Sequence, residues 1–360
     1  MKNNKNYYAV IMAGGIGTRF WPISTSKYPK QFHDVLGVGQ SLIQRTFERI
    51  NDLVPTKNIL IATNENYENL VLQQLPKVKK NQLLLEPAMK NTAPCILYAA
   101  LKIYNQNPDG VMLVAPSDHW IDDENEFTNN IKTSFDACLE KDILMTLGIQ
   151  PDSPNTGYGY IQFKKEASKI KKVTNFTEKP DLETAKKFLE NGDYLWNAGI
   201  FVWSAKSIIK AFKNFLPEMV DILDDGNRVY NTDFEDDFIK NNYTKCKNIS
   251  IDFAIMEKAN NVHVLPVDFG WSDLGTWGSL YSKLEKDETE NAVVGATTIF
   301  RNANGNMVRT QSGKKVVIQG LSDFMVIEKE DVLLICPKKD EQDIKQISTQ
   351  VKANFGDDFV

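Results

Sequence analysis

Cysteine is scarce in this 360-residue chain, and its four copies, Cys95, Cys138, Cys246 and Cys336, stand far apart without a CxxC. That spacing offers neither a zinc knot nor a disulfide framework, and it reads as the reduced thiols of a cytoplasmic protein. Histidine is scarcer still. His33, His119 and His263 have no mutual spacing suited to a metal and no evident serine or cysteine nucleophile to serve, so all three read as structural. A basic excess is missing too: 42 Lys and Arg face 47 Asp and Glu, a formal charge of −5. Nucleic acid and acidic membranes call for clustered positive charge, so neither is an expected partner. The polar start MKNNKNYY and the short apolar runs exclude a signal-peptide core and a membrane-spanning segment. Two nucleotide loops are absent as well. No GxxxxGK[ST] occurs, and Gly15-x-Gly17 meets Phe20 where a dinucleotide fingerprint needs its last glycine.

What the chain does have is a hydrophobic content of 42%, enough for a sizeable core, and a length that corresponds to roughly two domains. Its organising stretch is Tyr8 to Lys30. An apolar run of strand length, Tyr8 to Ala13, leads into Gly14, Gly15 and Gly17, followed by Thr18, Arg19, Lys27 and Lys30. Glycine lets backbone N–H groups approach a ligand, and the cations supply fixed charge for phosphate oxygens. The combination suits a polyphosphate, although a strand-to-loop turn would use the same glycines.

Strand and helix then alternate. Helices are expected over Ser41 to Ile50, Glu65 to Leu75 and Asn91 to Tyr104, the last apolar on nearly every side. Strands are expected at Asn58 to Ala62, Gln82 to Leu85 and Val111 to Ala115, the pattern of a mostly parallel sheet between helices. Ligands of such sheets collect beyond the carboxyl ends of the strands. Three polar stretches fall there: the glycine loop, Glu86-Pro87 through Asn91-Thr92, and Pro116-Ser117-Asp118-His119.

Strands at Gly157 to Ile161, Lys171 to Phe176 and Leu195 to Trp203, with a helix at Glu183 to Leu189, read as an insertion that extends the sheet and builds the second half of a cleft. Helices around Ile208 to Phe215, Phe234 to Lys240 and Asp252 to Asn260 precede a strand at Val262 to Val267. Beyond Asn291 come short strands, Ala292 to Phe300, Asn306 to Thr310, Lys315 to Gln319 and Phe324 to Glu328, and a helix over Glu341 to Phe355, with no internal repeat evident. The expected division is a catalytic domain over 1–288 and a small β-rich domain over 289–360.

Phosphoryl and nucleotidyl transfers need a divalent cation, and magnesium takes hard oxygens, often from only one or two carboxylates. Asp118 and Asp273, each following an apolar strand, are the candidate ligands; alone, each would serve equally as a turn residue. Lys179 in Glu178-Lys179-Pro180 is a point cation able to hold a monophosphate, or half of a solvated pair. Asn197, in Trp196-Asn197-Ala198-Gly199, can hydrogen-bond sugar hydroxyls or simply form a turn. With no covalent nucleophile evident, the set suits direct in-line displacement at a nucleotide phosphate, where the protein positions reactants and stabilises charge.

These residues lie in eight ordered motifs between Ile11 and Trp277: GGIGTRFWPIS with PKQF, EPAMKNTAP, PSDH, GYGYI, TEKP, WNAGIF, IDFAIMEK and WSDLGTW. Together they closely resemble the sugar-nucleotide pyrophosphorylases, with FWPIS and WNAGIF resembling the mannose/guanylyl branch. The resemblance implies a Rossmann-like, GT-A-like α/β nucleotidyltransferase fold, a mixed sheet flanked by helices, with a small β-helix-like C-terminal domain that joins subunits into a homodimer. It implies GTP and mannose 1-phosphate as substrates and Mg2+ as cofactor. It places Gly14, Gly15, Gly17 and Thr18 at the nucleotide with Ser117, and Arg19 and Lys30 at the pyrophosphate. Glu86, Asn91 and Thr92 fall by the base, and Asp118 and Asp273 at magnesium. Gly159, Glu178 and Asn197 fall at the sugar and Lys179 at its phosphate. The isomerase domain carried by longer relatives is missing from the chain, which implies a monofunctional enzyme. The alternatives are a related transferase for another sugar or base, and a non-catalytic nucleotide-sugar sensor on the same fold.

Overall fold

A computed structural model describes residues 4–224 and 228–360. The chain packs as two units, one formed by the chain up to Gly14 with Thr46–Ser117 and Ile121–Trp271, the other by Gly15–Arg45, Asp118–Trp120 and Ser272–Val360.

The first unit is built on a nine-stranded sheet. Its strands are β1 (Tyr7–Met12), β2 (Ile59–Asn64), β3 (Leu83–Glu86), β4 (Val111–Pro116), β5 (Leu144–Ile149), β6 (Tyr160–Phe163), β7 (Lys171–Thr177), β8 (Tyr194–Ser204) and β9 (Val262–Val267). They lie in the order β3-β2-β1-β4-β8-β5-β9-β7-β6. The first four are mutually parallel, so their carboxyl ends share one edge of the sheet. Antiparallel β8 then separates β4 from β5, which makes the whole sheet mixed where the early pattern alone suggested a mostly parallel one.

Alternation along β1 puts successive side chains on opposite faces. Tyr8 and Val10 join the core that contains helix Thr92–Gln106 and helix Ala205–Phe215. Tyr7 stacks on Phe135 of helix Glu124–Glu140, ring centres 4.1 Å apart. Helix Thr92–Gln106 is buried from Ala93 through Ile103, as its all-round apolar pattern requires. That run includes Lys102, whose ammonium is paired with Glu235, itself bonded by the Tyr98 hydroxyl at 2.7 Å.

The second unit carries a coil of strands, β10 (Ala292–Arg301), β11 (Met307–Gln319), β12 (Phe324–Lys329) and β13 (Val332–Pro337). The first three are parallel neighbours, and β13 returns antiparallel. Asn291 Oδ1 accepts from the Asn306 backbone N–H at 3.0 Å, and Asn306 Oδ1 accepts from the Phe324 N–H at 3.0 Å, one coil further on. This stacked-asparagine device is a structural repeat that the sequence pattern does not reveal, because only one or two residues per coil carry it. Phe20, Trp21, Trp277, Met307, Met325 and Ile344 form the core of the unit.

The expected helix over Asp252 to Asn260 is instead one π turn, Asp252–Met256, since the chain must extend again to enter β9 at Val262. The two strands expected at Asn306 to Thr310 and Lys315 to Gln319 are one, β11. Its pairing with β10 skips at Gly295, whose φ of 84° lets Thr310 O come within 2.2 Å of where a Cβ would stand. Helix Glu124–Glu140, β5, helix Pro217–Leu223 and β13 were not foreseen. The expected boundary at 288 also differs from the packing division, because Phe20 and Trp21 share a core with Trp277 and draw the glycine loop into the second unit.

Candidate active site

In the second unit, Gly17 has a φ of 72° at the start of the short helical turn Thr18–Phe20. A Cβ there would stand 2.6 Å from Lys30 Cβ, so glycine is what allows the two arms of the loop to close. The Lys30 N–H donates to Ile16 O at 3.3 Å, and the Ser24 hydroxyl donates to the same carbonyl. Lys30 is thereby buried. Its ammonium donates to Asp118 Oδ2 at 3.1 Å and to the Asp273 carbonyl at 2.9 Å, and lies 4.9 Å from the centre of the Phe20 ring.

Gly17, Arg19, Lys30, Asp118, Asp273 and Lys345 line a cavity of about 310 Å³. Burial works to raise the Asp118 pKa, but the Lys30 ammonium, His119 and the Lys30 hydrogen bond outweigh it and hold the carboxyl below its ordinary value. Asp273 Oδ1 accepts from the Gly275 N–H at 3.0 Å, and a Cβ at Gly275 would fall 2.4 Å from Asp273 Oδ2. Two hard-oxygen carboxylates thus border one cavity. Among the described residues there is no cluster of three or more His, Cys, Asp or Glu, so a divalent cation would need phosphate or water to complete its shell, which is magnesium's habit. Lys30, expected at the pyrophosphate, has its ammonium paired with Asp118. Arg19 and Lys345 are exposed and have no ion pair among the described residues.

In the first unit, Gly14, Glu86 and Ser117 follow or end β1, β3 and β4 at the shared edge. Glu86 Oε2 would be 3.2 Å from a Cβ at Gly14, and its Oε1 accepts from the Tyr243 hydroxyl. Burial lifts the Glu86 carboxyl to about 7, with the Tyr243 hydrogen bond working against it. Asn91, at a φ of 66°, caps helix Thr92–Gln106 through its Oδ1, and Thr92 Oγ1 accepts from the Ile251 N–H at 2.9 Å. Both side chains serve the backbone through these atoms. Ser117 is buried, its N–H donating to Met12 O.

A second polar group lies at the other end of the same sheet. Asn197 of β8 accepts at Oδ1 from Thr146 Oγ1 and the Gly199 N–H, both at 3.1 Å, and donates through Nδ2 to Asp252 Oδ1 at 3.0 Å. The Gly199 N–H and the Asp252 carboxylate fix the same amide orientation. Gly159 O accepts from the Asn197 N–H, and a Cβ at Gly159 would stand 2.5 Å from Glu178 Oε2. Glu178 pairs with Lys179 at 2.9 Å; Lys179 is 62% exposed and so remains able to meet a ligand. Gly159, Glu178, Lys179 and Asn197 are therefore brought together as expected. Asp252 belongs with them and was missed, although IDFAIMEK begins its apolar run with this carboxylate. Burial, then the neighbouring Glu178 charge, pushes its pKa up to about 6. Lys345 was missed for another reason, lying far outside every motif.

The glycine loop thus packs its lysine–aspartate pair against that cavity, in a chain that also carries a parallel half-sheet. The chain is an enzyme of the nucleotidyl transferase family, whose model matches residues 8–290. Among its relatives are curated enzymes of one named activity. The mannose-1-phosphate guanylyltransferase of Escherichia coli is 35% identical over 350 residues, covering 94% of this chain and 74% of that protein. That of Salmonella montevideo is 36% identical over 355 residues, covering 95% and 73%. A crystal structure described as mannose-1-phosphate geranyltransferase from Thermus thermophilus superposes with a TM-score of 0.87 at 29% identity, covering 96% of this chain and 99% of that one. No helix among the described residues is long and apolar enough to cross a membrane.

Proposed function

We propose that the chain joins GTP and α-D-mannose 1-phosphate to form GDP-mannose and diphosphate. The observation that carries this reading is the cavity at the glycine loop, where Asp118 is kept ionised by Lys30 and Asp273 and Arg19 share the same walls. A phosphate oxygen of the sugar phosphate attacks the α-phosphorus, and the bond to the diphosphate breaks. Backbone donors of Gly15, Gly17 and Thr18 orient the phosphates, and Arg19 offsets charge on the leaving diphosphate. Lys30 acts one step removed, holding Asp118 and the Asp273 backbone in place. When bound, magnesium held by Asp118 and Asp273 would neutralise charge on the phosphate oxygens.

Of the residues assigned to the base, Glu86 has the chemistry for guanine, since an ionised carboxylate accepts from both the N1–H and the N2 amino group, while Asn91 and Thr92 serve the backbone. Lys179 takes the sugar phosphate. Gly159, Glu178 and Asn197 take the sugar, the amide held in one orientation by Asp252 and the Gly199 N–H. Ile299 and Val317, cross-strand partners on the coil that are 60% and 66% exposed, support association of two copies of the chain.

The test is a panel of four nucleoside triphosphates against several sugar 1-phosphates, read by diphosphate release with and without magnesium. GTP with mannose 1-phosphate should be the preferred pair. A different preferred pair would reassign the substrates, and tight binding of GDP-mannose without diphosphate release would make the chain a sensor.

A further inference from the structure

The C-terminal helix Ile344–Phe355 lies beyond the span matched by the nucleotidyl transferase family, yet it contributes Lys345 to the lining of the loop cavity. We infer that Lys345 is a substrate-binding residue, the second cation for the diphosphate portion of the nucleotide. The inference rests on reading that cavity as the polyphosphate site.

The rotation of the helix follows from its sequence. Ile344 is fully buried, and Ile347 and Val351 pack on the same core, a stripe at spacings of three and four residues. With that stripe facing inward, the next residue after Ile344 falls at the rim of the cavity. Other contacts hold the segment in place. Glu341 Oε2 accepts from the Gly278 N–H at 2.7 Å, and Trp21 Nε1, from the glycine loop itself, donates to Phe359 O at 2.7 Å.

The charge pattern makes the position informative. Lys30, the buried lysine of the cavity wall, is matched by Asp118. Arg19 and Lys345 are both exposed and have no ion pair among the described residues. A diphosphate leaving group gains negative charge as its bond to the α-phosphorus breaks, and two uncommitted cations at one cavity suit that need better than one. A lysine at this position also makes catalysis depend on the C-terminal coil being folded against its own unit.

The test uses the full chain and calorimetric titration with inorganic pyrophosphate in magnesium buffer. Lys345→Ala should weaken binding by about tenfold, the scale of one charge-assisted hydrogen bond, while Lys345→Arg keeps it. In steady-state assays Lys345→Ala should raise KM for GTP and leave KM for mannose 1-phosphate unchanged. Gln346→Ala, exposed on the same turn, is the control for a purely structural effect. Unchanged pyrophosphate affinity in Lys345→Ala, an equal loss in Gln346→Ala, or no pyrophosphate binding by the native chain would each overturn the inference. Should the native chain bind pyrophosphate through Lys345 but form no nucleotide sugar, the proposed reaction fails and the inference stands.

Discussion

Replacing Lys30 with methionine keeps the aliphatic stem and removes only the ammonium. In the native chain that group bonds Asp118 at 3.1 Å and the Asp273 carbonyl at 2.9 Å, with 3% of the side chain exposed. Removing one member of a fully buried pair costs about 3–5 kcal/mol, because the other charge is stranded. Asp118 keeps 33% of its side chain open to solvent. Hydration therefore offsets part of the cost, and a loss of about 2–3 kcal/mol is expected at pH 7. The loss carries a pH signature. With its pKa held below the ordinary value, Asp118 stabilises the fold above the unfolded value near pH 4, and that contribution disappears as pH falls through the lower folded value. Without Lys30 the contribution never exists, since burial alone raises the pKa. The two proteins should converge on acidification to a residual gap of about 1 kcal/mol for the lost hydrogen bond to Asp273. Urea denaturation from pH 7 to about pH 3, with Asp118→Asn and the double variant closing a cycle, measures this. A pH-independent gap, or a coupling energy below about 0.5 kcal/mol, would refute the claim that Lys30 exists to hold Asp118.

The other predictions concern separate parts of the chain. Because burial holds Glu86 near 7, its carboxylate is progressively protonated below that pH and loses its capacity to accept from guanine. KM for GTP should rise by up to about tenfold per pH unit below 7 in the native chain; the same slope in Glu86→Gln would show that another group is responsible. Gly159→Ala places a methyl 2.5 Å from Glu178 Oε2 and must displace that carboxylate. KM for mannose 1-phosphate should rise with KM for GTP unchanged, and parallel rises in both would count against a sugar site there. Asn306→Ala strips Leu321 O and the Phe324 N–H of their buried partner, a cost of about 2–4 kcal/mol in the free energy of unfolding measured by urea denaturation. A loss under about 1 kcal/mol would mean that the stacked asparagines are not what holds the coil.

Much of the molecule was legible before folding because its signals are local. Strand β9 was read to the residue, and the buried helix after Asn91 to within two, since apolar run length and a polar cap are properties of neighbouring residues. The glycine loop was legible as a loop for the same reason, as glycine permits close backbone approach whatever surrounds it. Clustering of Gly159, Glu178, Lys179 and Asn197 was legible from the motifs that contain them.

Charge partnership was not. That Lys30 would be spent on Asp118, 88 positions away, or that Asp252 would fix the Asn197 amide, depends on which loops meet once the chain has folded, and Coulomb energy follows distance in space. The same limit hid Lys345 and the coil's repeat. A cation placed by the rotation of a distant helix leaves no pattern around itself, and asparagines stacked one coil apart are neighbours only after the chain has wound. Composition and periodicity determined the elements and the chemistry available to them; tertiary packing alone decided which of those charges are paired within the fold and which stand unpaired at a cavity wall.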